Sequence, residues 1–330
     1  MRMSSDVRIS VVTSMFRSSA YLEEFYSRCV RAISAISSSY EILFVNDGSP
    51  DDSLAVALRI RGRDSRVRIL DLSRNFGHHR ALMTGLAHAR GEMVFLLDCD
   101  LEEDPEWLLR FHEILRRTGA DVVYGVQSVR KGGFLERWGG AIFYTVLNRM
   151  LTDPIPRNVI TARLMTRRYV RALVQHLDRE ICLAGLWVIT GFDQRAVEVA
   201  KGSRPGSSYS FRGRVSSLVN AITSFSNRPL IYVFYLGTII LLVSTLAATV
   251  LLFRALNHGF GVAGYASLII SIWFLGGLTL FSVGIVGVYL AKVFTETKNR
   301  PYTVIRADYG GAGIDEHAGP AAEDAAILRR

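Results

Sequence analysis

Two long uncharged runs near the C-terminal end constrain this chain more than any other feature. Leu230–Phe253 and Gly259–Ala291 contain no Asp, Glu, Lys or Arg. About 20 residues, each rising about 1.5 Å, cross a bilayer core of about 30 Å. Both runs exceed that length. Two membrane-spanning helices are therefore expected within 229–292, at about 230–253 and 263–291. The 330 residues are 49% hydrophobic with a mean hydropathy of +0.22, and these runs carry much of that excess. Gly276, Gly277, Gly284 and Gly287 would let helices approach closely, which is compatible with a homo-oligomer.

The formal net charge is +9. Arg212, Arg214 and Arg228 precede the first run, and Lys292, Lys298, Arg300 and Arg306 follow the second. The short connection carries only Arg254 and His258. This asymmetry places both flanks on the cytoplasmic side of the inner membrane, as a multi-pass protein. It also assigns the charge to lipid headgroups and not to nucleic acid. The first residues, MRMSSDVRISVVTS, lack the apolar core of a signal peptide. Three cysteines without a CxxC pair exclude a disulfide scaffold and a Cys-rich zinc module.

Before residue 228, short apolar runs alternate with helical patterns. Strands are expected at 7–13, 40–45, 67–72, 93–97 and 121–125, and helices at 20–36, 51–61, 78–89 and 106–117. Such alternation implies an α/β domain with a mostly parallel sheet covered by helices on both faces. Ligands bind outside the carboxyl ends of such strands. The residues there are Asn46-Asp47-Gly48-Ser49, then Ser73-Arg74-Asn75-Phe76-Gly77-His78-His79, then Asp98-Cys99-Asp100-Leu101-Glu102.

Asp98 and Asp100 flank one residue, so both carboxylates can face one site. Two hard anionic ligands with open positions suit Mg²⁺ or Mn²⁺ holding a diphosphate. The same carboxylates would also serve as turn and cap residues before a helix that starts at Pro105. His78-His79 lies at a helix N-terminus, where backbone amides can meet phosphate. It lacks the spacing of a zinc site. No GxGxxG or GxxxxGK[ST] is present.

Taken in order, VVTSMF, VNDGSPDDS, SRNFGHHRALMTGLAHA, LLDCDLEEDPE, ARLMTRR, AITSFSNRPL, the two runs and KNRPYTVIR resemble the family 2 glycosyltransferases of the GT-A fold. Within them the chain is similar to the polyprenyl-phosphate subgroup, which holds dolichol-phosphate mannose synthases and bacterial GtrB-type enzymes. The resemblance covers roughly Val7 to Arg306. It implies a GT-A, Rossmann-like catalytic domain over 1–228; the aromatic and aliphatic composition of 134–151 suits an interfacial helix or a helix packed on the sheet, and a second interfacial element is expected near 214–228. A cytoplasmic tail would follow at 293–330, flexible from about 308.

The resemblance also implies roles. Asp47 would hold the nucleotide base, with Ser49, Asn75, Gly77, Arg212 and Arg214 as further substrate-binding positions. Asp98, Asp100 and Glu102 would bind the metal, and Asp98, Asp100, Arg130 and Arg163 would serve catalysis. Surface or membrane-interface charge is the competing role for each arginine. Two motifs depart from the family. Its opening Pro-x-Tyr-Asn-Glu is here Thr13-Ser14-Met15-Phe16-Arg17, and its "GDFRL" is Ile160-Thr161-Ala162-Arg163-Leu164.

The implied reaction is inverting transfer of a sugar from a nucleotide-diphosphate sugar to undecaprenyl phosphate at the cytoplasmic face. Direct transfer to a glycan or glycolipid is an alternative. A non-catalytic scaffold or channel is a third reading, opposed by spans without ionisable Asp, Glu, Lys or Arg.

Overall fold

A computed structural model describes residues 7–127, 158–179, 181–200, 228–258 and 264–310, with single positions between (149, 156, 202, 222, 223 and 226). Arg130, Arg212 and Arg214 lie outside the described residues, as does most of both expected interfacial helices.

The sheet has eight strands: β1 Ile9–Met15, β2 Tyr40–Asn46, β3 Val67–Leu72, β4 Met93–Leu96, β5 Val122–Gln127, β6 Val159–Thr166, β7 Gln194–Val199 and β8 Ile305–Tyr309. Their spatial order is β7-β5-β6-β4-β1-β2-β3-β8. β3, β2, β1 and β4 run parallel. Every residue of β2 and β3 is buried, as expected of strands covered on both faces.

Helices supply the cover. In α1 (Leu22–Ser34), Leu22, Phe25, Cys29, Ala32 and Ile33 form one buried face, with Glu23 and Glu24 in the first turn and Arg31 in the last. α2 spans Ser53–Arg63, α3 His78–His88 and α4 Trp107–Thr118. α4 buries Leu108, Phe111 and Leu115 and stops at Gly119, whose φ of 69° is the left-handed conformation glycine accepts readily. Two short helices, α5 (Arg167–Leu173) and α6 (Leu183–Ile189), lie between β6 and β7.

The second half of the sheet departs from simple alternation. β6 runs antiparallel between β4 and β5, with Leu96 opposite Arg163. An antiparallel strand presents its N-terminal end where its neighbour presents its C-terminal end. Residues just before and inside β6 therefore join the carboxyl edge of β4, two positions past the Leu96–Arg163 pair.

Within the expected tail at 293–330 lies β8, which pairs antiparallel with β3 from Ile69–Tyr309 to Leu72–Ile305. Asp308 is held in a buried ion pair with Arg68 of β3, and Arg68 also donates to the His88 carbonyl. A buried arginine and an open strand edge on β3 are what the returning segment satisfies.

The described residues from 222 to 299 belong to a second compact unit. It holds α7 (Arg228–His258) and α8 (Tyr265–Thr297). The helices extend past the expected limits of 253 and 291. Within them, Arg228–Leu246 and Phe274–Thr297 each have a mean hydropathy of 2.0 with no part buried by protein, long and apolar enough to cross a membrane. Large apolar side chains such as Phe234, Leu242 and Leu280 are exposed along both. Exposed apolar surface on this scale belongs against lipid or another apolar partner.

Candidate active site

The carboxyl ends of β1 to β4 and the start of β6 meet at one edge of the sheet. Asp47, one residue past β2, is only 2% exposed. Its carboxylate accepts hydrogen bonds from the amides of Phe76 (2.7 Å) and Gly77 (3.0 Å). Burial raises its pKa, and the two amide bonds oppose that rise. Asp47 thus builds the turn from β3 into α3, and its oxygens are engaged there. Gly77 closes that turn with φ 102°.

Gly48 follows with φ 60°, and a Cβ there would lie 2.5 Å from the backbone of Arg74 and Asn75. Only glycine lets these two loops touch. Ser49 accepts from the Arg17 amide at 2.7 Å and donates to Asp51. Burial pushes the Asp51 carboxyl up, but hydrogen bonds from Ser49, Ser53 and Ser19 outweigh it and hold the group well below the usual carboxylate range. Ser49 and Asn75 line a cleft of about 590 Å³ with Asp71, Arg74 and Arg306. Arg306 arrives on β8, donates to the Ser73 carbonyl and lies 3.5 Å from Asp71. From sequence it reads only as a charge beside the membrane, because β8 is far from β3 along the chain.

The Asp98–Asp100 loop lies at this edge, past the end of β4. Asp98 Oδ2 accepts from the Thr161 hydroxyl at 3.1 Å. The Asp98 amide donates to Glu103 Oε2 at 3.3 Å, and the Thr161 amide donates to Glu103 Oε1 at 2.9 Å. A fully buried Glu103 therefore ties the β4 end to β6. Asp98 Oδ1 is buried and has no hydrogen-bond donor. Its neighbour is His78 Nε2 at 3.3 Å, the first residue of α3, while His78 Nδ1 is 2.8 Å from Ser14 Oγ.

Asp100 Oδ1 accepts from the Glu102 amide at 3.0 Å. Between them Leu101 holds φ 63°, a strained value for a bulky residue. Cys99 donates to the Ser14 carbonyl, and burial pushes its thiol up to about 12, so it is not a nucleophile. Among the described residues no three His, Cys, Asp or Glu side chains converge as a closed metal cage. Asp98 and Asp100 offer instead an open pair of carboxylates.

Arg163 corrects a sequence expectation. It is 1% exposed and lies beneath the site. Its guanidinium donates to the Thr161 and Ile160 carbonyls (both 3.3 Å) and stacks on the Trp187 ring. Burial lowers its pKa to about 9, and Tyr169 and Glu103 oppose that. Arg163 supports the strand that carries Thr161 and is not open to a substrate phosphate. From sequence it reads as catalytic, with surface charge as the alternative; its burial is not visible there because the aromatic cover comes from α5 and α6.

Comparison with known proteins gives the class. The model of glycosyl transferase family 2 matches residues 10–174, from β1 to α5. A glycosyltransferase-named protein of Mycobacterium tuberculosis (strain CDC 1551 / Oshkosh) is 50% identical over 92% of this chain and 89% of its own length. The SfII prophage-derived bactoprenol glucosyl transferase of Shigella flexneri is 33% identical over 92% of this chain and 99% of its own length. A mannosyltransferase of Pyrobaculum calidifontis, solved with GDP-mannose and Mn²⁺, is similar over 88% of this chain and 86% of its own, at 15% identity and TM-score 0.48. The chain belongs to glycosyl transferase family 2, and its mixed, mostly parallel sheet is GT-A-like.

Proposed function

We propose that this chain transfers a sugar from a nucleotide-diphosphate sugar to a polyprenyl phosphate in the membrane, with inversion. The observation that carries the reading is the union, in one chain, of a family 2 catalytic domain with two apolar helices exposed along their length. A relative that matches over nearly its whole length is named a bactoprenol glucosyl transferase. A lipid acceptor stays in the bilayer, so its transferase needs to work at the bilayer surface.

In the reaction an acceptor phosphate oxygen attacks the anomeric carbon. The bond from that carbon to the donor's diphosphate breaks, and a nucleoside diphosphate leaves with the electron pair. A lipid phosphate is already anionic at neutral pH, so it needs little help from a general base. Asp98 and Asp100 would hold Mg²⁺ or Mn²⁺, with Glu102 close by. The fit rests on the donor-less, buried Asp98 Oδ1 and on two adjacent hard oxygen ligands. That ion supplies charge neutralisation for the departing diphosphate. Thr161 and Glu103 orient Asp98. Asp47, Ser49, Asn75 and Gly77 would face the donor side, Asp47 toward the nucleotide base while its bonds to the Phe76 and Gly77 amides shape the loop. Arg130, Arg212 and Arg214 are the candidates for bidentate contact with the acceptor phosphate. The flanking basic residues support a catalytic domain and C-terminus on the cytoplasmic side.

The test is transfer by the full-length protein from labelled UDP-, GDP- or dTDP-sugars with Mg²⁺ or Mn²⁺, with and without undecaprenyl phosphate. Chloroform-soluble label that needs the lipid phosphate, and vanishes in Asp98→Asn and Asp100→Asn, is expected. Label transferred only to a glycan acceptor, or turnover surviving in both variants, would overturn it.

A further inference from the structure

We propose that His78 is a nitrogen ligand of the divalent ion held at Asp98, so that the site favours Mn²⁺ and later first-row ions over Mg²⁺. The inference rests on the metal-assisted reading above and adds to it a residue that the paired-aspartate motif does not include.

Four observations meet at this pair. First, Asp98 Oδ1 is a buried acceptor without a donor. Its other oxygen accepts one hydrogen bond, from Thr161, whereas this one has, among the described residues, only the His78 ring beside it. Second, His78 Nε2 stands 3.3 Å from that orphan oxygen, yet the contact is not aligned as a hydrogen bond. Two ligands in adjacent positions of an octahedral shell, each about 2.1 Å from the ion, lie about 3.0 Å apart. The observed spacing is close to that bite.

Third, Ser14 Oγ lies 2.8 Å from His78 Nδ1. When the ring proton is on Nδ1 and the serine oxygen accepts it, the lone pair of Nε2 points toward Asp98. A metal-bound histidine is typically fixed this way, by a hydrogen bond to its other nitrogen. Ser14 lies near the end of β1, in the segment where this chain departs from the family's opening motif. Fourth, the backbone that presents His78 is pinned. Asp47 accepts from the two preceding amides, and Gly77 at φ 102° aims the first turn of α3. The neighbouring His79 is engaged elsewhere, with Nδ1 3.1 Å from the Ile181 carbonyl.

His78 and Asp98 supply two adjacent ligands and leave the remaining positions for water and the donor's diphosphate. Mg²⁺ prefers an all-oxygen shell, whereas imidazole nitrogen suits the transition ions. A mixed set therefore shifts the preference away from Mg²⁺.

The experiment is pulsed electron paramagnetic resonance of Mn²⁺ bound to the full-length protein, with inorganic pyrophosphate standing for the donor's diphosphate. A ¹⁴N coupling on the bound Mn²⁺ is expected in the native protein and in His79→Gln, and is lost in His78→Gln. Mn²⁺ affinity should fall at least about tenfold in His78→Gln, with a smaller fall in Ser14→Ala. Metal-free melting curves check that each variant folds, and the native spectrum alone is decisive if one does not. Bound Mn²⁺ without nitrogen coupling, or coupling that persists in His78→Gln, overturns the assignment and leaves glycosyl transfer standing. Failure of Mn²⁺ to bind at all overturns it together with the metal-assisted step, which the transfer assay then judges separately.

Discussion

Thr161 shows how much of this site depends on single contacts. Its hydroxyl donates to Asp98 and its amide to Glu103, so one residue ties the proposed metal-binding carboxylate to its neighbouring strand. Thr161→Ala removes that donor and should lower kcat about 3- to 10-fold, in line with about 1 kcal/mol for one hydrogen bond. Thr161→Ser should restore most of the rate. Steady-state kinetics of the three proteins checks this. Asp47→Ala leaves the Phe76 and Gly77 amides without an acceptor. A loss of about 2 kcal/mol or more is expected, read as a melting temperature about 4 °C or more lower. At this scale the sequence is informative where chemistry is local. The Asp98-x-Asp100 spacing announces two carboxylates on one edge. It is silent where a partner is remote. Thr161 meets Asp98 only because β6 runs antiparallel to β4, and Arg163 disappears inside only because Trp187 of α6 covers it.

The elements from β1 to α4 follow directly from periodicity, because each parallel strand is a short apolar run and each covering helix shows its buried stripe. β6, β7 and β8 do not, because β6 and β8 are antiparallel returns, and β8 comes back to β3 from beyond the second apolar helix. Arg68–Asp308 tests the β8 docking. Removing one partner of a buried ion pair costs about 3–5 kcal/mol, whereas replacing both by apolar residues is close to neutral. Asp308→Ala should therefore speed hydrogen exchange in β3 and β8, and Arg68→Met with Asp308→Leu should reverse most of the effect. A second tie joins α1 to the start of α4, where Arg28 meets Asp104 and Glu106. Hydrogen bonding to Arg28 holds Glu106 at about 2, below its ordinary value of about 4.3. A depressed carboxylate contributes stability that is present above its unfolded pKa and lost as pH falls through the folded value. The melting difference between native protein and Glu106→Gln should be full at pH 6 and shrink between about pH 4 and pH 2. A difference that is constant across that range would contradict the tie.

For the whole molecule, the +9 charge and the 49% hydrophobic content describe two units averaged together. One is a family 2 transferase domain completed by a strand from the C-terminal segment. The other carries two apolar helices with many exposed large apolar side chains among the described residues. The proposed orientation puts the 258–264 connection outside and the catalytic unit inside. In intact cells an impermeant maleimide should label His258→Cys, and label Asp193→Cys only after permeabilisation. The reverse pattern would overturn the orientation. The central claim is that one sugar moves onto one lipid phosphate, and the most direct measurement is the structure of the purified lipid product by mass spectrometry and nuclear magnetic resonance. A single sugar joined through one phosphodiester to the polyprenol, with the donor's anomeric configuration inverted and one nucleoside diphosphate released per lipid, is the predicted result. A product with two phosphorus atoms, retained configuration, or sugar found only on a glycan would contradict it.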